Sequence, residues 1–162
     1  MKLLRRTFDT PVGPMMALAS DEALCALEFS KPGRMTRLDA RLGRFFAPFE
    51  IEDGTNAVIA RTVEWLDRYF AGERPEDPPL DMRGAAFELK VWAALRQVPF
   101  GQTVSYGEIA RKVGAPDASR AVGMAHGFVD HHYLLQLGFG LSQVAQIVLY
   151  APDGDASSQG LV

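Results

Sequence analysis

The 162-residue sequence has one cysteine, Cys25. A single thiol excludes an internal disulfide framework and a cysteine-based zinc knuckle, and it suits a reducing compartment, so a cytoplasmic location is expected. No stretch reaches the roughly 18 consecutive apolar residues that a membrane-spanning helix needs. The apolar positions of Met1–Ala19 are broken by Asp9, Pro11 and Pro14, which argues against a secretion signal. Histidine is scarce too. His126, His131 and His132 have no cysteine partners, and two adjacent histidines are poorly placed to face one ion, so neither a metal nor another cofactor is expected.

Positive charge is missing from the end of the chain. The net charge is -3, but Lys and Arg number 12 against 14 Asp and Glu over residues 1–83, 5 against 3 over 84–127, and 0 against 3 over 128–162. Only the middle segment is net positive, and phosphate contacts need that sign. A tail without Lys or Arg marks a discontinuity near Gly127.

What is present reads as an α+β chain. Lys2–Phe8, Met15–Ser20 and Leu24–Phe29 are short apolar-rich runs separated by turn residues, the pattern of strands. After the Lys31-Pro32-Gly33 breaker, Met35, Leu38, Leu42, Phe45 and Phe46 fall at helical spacing, and Val58, Ile59, Thr62, Val63, Leu66, Tyr69 and Phe70 do so again. These segments predict a small strand-and-helix lobe over residues 1–72. Residues 73–84, with Pro75, Pro78 and Pro79, read as a linker. A mostly helical lobe over 85–127 and a tail over 128–162 complete the expected division.

The second lobe opens with a helix over Ala85–Val98, whose stripe is Phe87, Val91, Leu95 and Val98. Ser105 and Glu108 form a Ser-x-x-Glu capping box that starts a short helix over Tyr106–Val113. Gly114-Ala115 makes a turn, and Pro116 with Asp117 suits the start of another helix running through about His126. Two short helices across a glycine-containing turn predict a helix-turn-helix, which taken alone is a weak signal, since such pairs more often serve plain packing than DNA contact.

The longer string is more specific. Phe87-x-x-x-Val91-Trp92-x-x-Leu95 is followed by Val98-Pro99-Phe100-Gly101-x-Thr103-Val104-Ser105-Tyr106-Gly107-Glu108-Ile109-Ala110, then by Gly114-x-Pro116-x-Ala118-x-Arg120-Ala121-Val122-Gly123-x-Ala125. It resembles the methylated-DNA protein-cysteine methyltransferases, the alkylguanine-DNA alkyltransferases. Thr10-Pro11-Val12-Gly13-Pro14 and Leu24–Phe29 are similar to that family's first domain, so the resemblance spans residues 1–127. It implies a DNA repair protein whose partner is double-stranded DNA carrying alkylated guanine, acting as a monomer. In the family the second helix enters the minor groove, and small residues at Ala118, Ala121, Gly123 and Ala125 would permit that entry. Arg120 resembles the arginine that fills the stack when the damaged nucleotide turns outward. Tyr106, beside Ser105, resembles the tyrosine that crowds the phosphate of that nucleotide. Flipping is required because the alkylated oxygen is out of reach inside a duplex. A major-groove regulator is disfavoured, since Ala121, Val122 and Gly123 leave few side chains long enough to reach base edges.

The resemblance ends at Gly127. The family continues through an Asn-Pro hinge to Pro-Cys-His-Arg and a closing glutamate, which together activate the thiol that accepts the alkyl group. Two alignments of the tail put the acceptor near Leu137 or near Val144, and the first puts the hinge asparagine near Val129; in neither is there a thiol. Relatives with tryptophan at the acceptor position still bind damage, but the last tryptophan here is Trp92. Cys25, in an apolar strand, is expected to be packed and inert. Tyr133–Val148 is mostly apolar and reads as an amphipathic helix or an exposed sticky segment. The expectation is a chain with no catalytic residue, whose tail after Gly127 arose by frameshift or rearrangement or else diverged. It would serve as a non-catalytic sensor of alkylated DNA, or it would be a non-functional product.

Overall fold

Thr10 and Gly13 close the first turn. The Gly13 N–H donates to the Thr10 carbonyl at 3.0 Å, the Thr10 hydroxyl donates to the Gly13 carbonyl at 2.6 Å, and Gly13 takes a φ of 116° that side chains rarely adopt. This turn folds β1 (Lys2–Phe8) antiparallel onto β2 (Met15–Ala19), and β3 (Leu24–Phe29) follows antiparallel on the far side of β2. The computed structural model describes residues 1–73, 75–99 and 104–127. The remaining elements are α1 (Pro32–Phe45), β4 (Glu50–Asp53), α2 (Ala57–Phe70), α3 (Ala86–Leu95), α4 (Tyr106–Lys112) and α5 (Ser119–Gly127).

The four strands form one sheet in the order β3-β2-β1-β4, with a helix on each face. Successive side chains of a strand point to opposite faces. Accordingly Met15, Ala17 and Ala19 pack with Val58, Ile59, Trp65 and Leu66 of α2, whereas Met16 and Leu18 pack with Leu42 of α1 and with Phe46. β2 is buried on both faces, which is why it reads as an unbroken apolar run.

Three features depart from the sequence reading. β4 has no apolar pattern to announce it. It forms because Glu50–Asp53 pair in parallel with Lys2–Arg5, aided by ion pairs from Lys2 to Glu52 at 2.9 Å and from Arg5 to Asp53 at 2.8 Å. α1 starts at Pro32 itself: proline at the first helical position lacks only an N–H that would have no partner there. The linker is fastened down, since Leu24 and Leu80 form an isolated parallel bridge and the Trp65 indole donates to the Pro75 carbonyl at 3.3 Å.

Beyond the linker, Val91, Trp92 and Leu95 of α3 form a separate core with Ile109 and Ala110 of α4 and with Val122 and Ala125 of α5. Arg41 of α1 joins the two cores. Its guanidinium lies 3.4 Å from the Glu88 carboxylate, donates to the Arg83 carbonyl at 3.1 Å, and stands over the Trp92 ring at 5.3 Å. The fold is therefore α+β, a strand-and-helix lobe followed, among the described residues, by a helical one, as the sequence pattern predicts. Among the described residues no helix is long and apolar enough to cross a membrane.

Candidate nucleic-acid interface

Ser105 begins the site by capping α4. Its hydroxyl oxygen accepts from the Glu108 N–H at 3.2 Å, while the Glu108 carboxylate accepts from the Ser105 N–H at 2.7 Å and from its hydroxyl at 2.8 Å. The Ser105 N–H, then its hydroxyl, hold the Glu108 carboxyl below the usual carboxylate range. The capping box read from the sequence is thus present with both of its bonds.

α4 ends at a left-handed glycine. Gly114 has φ 79°, its N–H donates to the Arg111 carbonyl at 3.1 Å, and the Ala115 N–H reaches back to Ala110 at 2.9 Å. This double closure, which needs positive φ at one residue, reverses the chain in few residues. The sequence reading starts the next helix at Pro116, but Pro116 and Asp117 belong to the turn. The Ala118 N–H still bonds to the Ala115 carbonyl at 2.9 Å, and α5 begins at Ser119.

α5 divides into two sides. Val122 and Ala125 are 0% and 3% exposed and sit in the core, whereas Arg120 and Ala121 are exposed. Ala118 and Gly123 are half-buried. The small size of Ala125 therefore serves packing rather than groove entry: the Trp92 indole donates to its carbonyl at 3.2 Å. Gly123 lies under Tyr106, and a Cβ there would stand 3.1 Å from Tyr106 Cε2. Tyr106 is half-buried and packs against the same core. The sequence reading overlooked Met124, which is 61% exposed on the side of α5 that carries Arg120 and Ala121. Its position four residues after Arg120 was the available signal.

Cys25 lies elsewhere. It is 1% exposed on β3, packed among Leu3, Leu18 and Leu42, and burial pushes its thiol above the ordinary value. Among the described residues no group of His, Cys, Asp and Glu could hold a metal ion. The tail positions Val129, Leu137 and Val144, along with His131, His132 and Tyr133–Val148, lie outside the described residues.

Comparison with known proteins covers both halves of this arrangement. Residues 3–77 match the family described as 6-O-methylguanine DNA methyltransferase, ribonuclease-like domain, and residues 86–135 match 6-O-methylguanine DNA methyltransferase, DNA binding domain. The second match continues past Gly127 into the tail. A methylated-DNA--protein-cysteine methyltransferase of Mycolicibacterium paratuberculosis is 42% identical over 123 residues, 75% of this chain and 68% of the relative. One from Methanosarcina acetivorans is 33% identical, covering 74% and 70%. Among solved structures, Mycobacterium tuberculosis OGT in complex with DNA is 32% identical with a TM-score of 0.61, covering 88% of this chain and 81% of that one. The M. tuberculosis O6-methylguanine methyltransferase R37L variant has a TM-score of 0.63 at 34% identity, over 87% and 81%. With both of its packed cores matched and a relative aligned over two thirds of its own length, the chain belongs to the 6-O-methylguanine DNA methyltransferase family.

Proposed function

We propose that α4 and α5 act as a helix-turn-helix that seats α5 in the minor groove of duplex DNA, where the protein holds an alkylated guanine turned out of the stack without accepting its alkyl group. The carrying observation is the division of α5: Val122 and Ala125 anchor one side in the core, leaving Arg120 and Ala121 outward. Arg120 fills the vacated stack, and Tyr106, at the start of α4, favours rotation of the nucleotide. Ser105 and Ala118 complete the surface near the backbone, and Gly123 beneath the Tyr106 ring lets that ring lie against α5. The likeness to a structure solved with DNA supports this reading. Loss of transfer rests on Cys25 being the only thiol and buried within the sheet. The protein works as a monomer in the cytoplasm, in three parts: residues 1–72, the linker 73–84 and the DNA-binding core 85–127.

Two measurements test this. Incubation with DNA carrying labelled methylguanine leaves no label on the protein, and a stoichiometric adduct on any residue refutes the loss of transfer. Fluorescence anisotropy compares duplexes with and without methylguanine. The segment 84–127 has five basic residues, not all facing DNA, so log affinity falls with log salt at a slope of about -2 to -4. Arg120→Ala weakens binding to the damaged duplex more than to the intact one. Equal weakening reduces Arg120 to a phosphate contact and refutes base flipping, and no change removes α5 from the groove.

A further inference from the structure

Met124 is the one large apolar side chain of α5 that faces solvent among the described residues, 61% exposed. It stands one turn beyond Arg120 and three residues beyond Ala121, so the three share a face. α5 cannot rotate to hide it. Val122 and Ala125 are locked in the core, Trp92 is bonded to the Ala125 carbonyl, and Gly123 is covered by the Tyr106 ring. A lone exposed methionine needs no explanation on most surfaces. This one is aligned with Arg120, which makes no ion pair among the described residues, on the only net-positive segment of the chain.

Building on the DNA-binding reading, we propose that Met124 is an apolar wedge that enters the minor groove beside Arg120, opens it and bends the duplex. An undistorted minor groove is only about 6 Å wide, which admits one extended side chain but not a helix about 10 Å across that presents Arg120 and Met124 together. The groove must therefore widen where Met124 enters, and apolar wedges at base steps kink DNA away from the protein, toward the major groove. Methionine fits this role because its unbranched, polarisable chain moulds to sugar edges and base faces alike. It makes no hydrogen bonds to base edges, so it selects for deformability. Pyrimidine–purine steps beside the lesion are favoured, and stiff A-tracts are disfavoured.

The test uses the full chain with end-labelled duplexes carrying methylguanine, flanked either by TA steps or by an A-tract. Energy transfer reports the bend and anisotropy the affinity, for wild type, Met124→Ala, Met124→Leu and Arg120→Ala. Met124→Ala is expected to straighten the bound duplex, lose about fivefold in affinity for the TA-flanked site, and no longer distinguish the flanks. Met124→Leu should keep both properties, because an apolar wedge of similar length remains. An unchanged bend in Met124→Ala overturns the wedge, as does a Leu variant that behaves like Ala. A clear drop in the thermal midpoint of Met124→Ala also overturns it, by placing the side chain in a packed contact. If Arg120→Ala loses lesion preference while Met124→Ala matches wild type, only the wedge fails. If wild type binds neither duplex, the DNA-binding reading fails and the wedge with it.

Discussion

The Tyr106 ring lies against the backbone of Gly123, so close that a Cβ on Gly123 would stand 3.1 Å from Cε2 and 3.3 Å from Cδ2. The contact ties the first turn of α4 to the middle of α5. It accounts for glycine in a helix, where glycine is otherwise unfavourable by about 1 kcal/mol relative to alanine.

Gly123→Ala should therefore destabilise the protein by about 1 kcal/mol or more, because the ring has to shift. In a Tyr106→Ala background the same change should stabilise by about 0.5–1 kcal/mol, the helix propensity acting alone. A double-mutant cycle on thermal or urea midpoints measures the difference. A coupling below about 0.3 kcal/mol, within the scatter of additive sites, shows that the ring does not rest there.

A tighter approach occurs where the linker meets α3. A Cβ on Gly84 would sit 2.7 Å from Trp92 Cη2 and 2.7 Å from Glu88 Oε2, and Trp92 is only 3% exposed. Gly84→Ala has no room, and overpacking of this kind costs about 1–3 kcal/mol. Urea unfolding followed by tryptophan fluorescence should show a lowered midpoint. An unaltered midpoint contradicts the packing described.

Arg41 offers a test of the junction between the two cores. Its side chain and that of Glu88 are 21% and 15% exposed, so water screens the pair only in part. Arg41→Met keeps the aliphatic stem but leaves Glu88 without its cation, and should cost about 1–3 kcal/mol. Arg41→Lys should recover less than half of the loss, since an ammonium cannot serve the carboxylate, the Arg83 carbonyl and the Trp92 face together. Full recovery by lysine reduces the contact to simple charge pairing.

The capping box gives a pH dependence whose sign follows from Glu108. Its carboxyl is held below the usual range, so the stability it contributes is present above the unfolded value of about 4.3 and fades as pH falls through the folded value. Ser105→Ala removes the hydroxyl that both accepts from Glu108 and donates to it, costing about 1 kcal/mol at pH 7. The gap between variant and wild type should narrow toward pH 3 without closing, because the bond from the Glu108 N–H does not titrate. Thermal midpoints across that range measure it. A constant gap means the carboxylate bond adds nothing.

The part of the site that was legible is the part written within a few residues. Ser105 and Glu108, three apart, declare a helix start, and Gly114 declares the turn after it. The family string picks out Arg120 and Ala121, and both are exposed. It picks out Gly123 as well, but the reason for its size, the Tyr106 ring, lies on another helix. It groups the buried Ala125 with the outward small residues and leaves out the exposed Met124. Sidedness on a nine-residue helix depends on its rotation about its own axis, and neighbouring elements set that rotation.

By itself the sequence determined the local chemistry: the apolar strand runs and their turns within Lys2–Phe29, the apolar stripes of α1, α2 and α3, the capping box, the left-handed turn at Gly114, and the confinement of the only thiol to an apolar strand. Each depends on backbone bonding or side-chain period within about four residues, which composition and spacing express directly. Tertiary structure alone decided the rest. β4 exists because Lys2–Arg5 supply a partner, the linker bonds to Leu24, and Arg41 reaches Glu88, 47 residues away. These contacts arise only when separate elements are brought together, so their energy depends on relative position rather than on any local pattern.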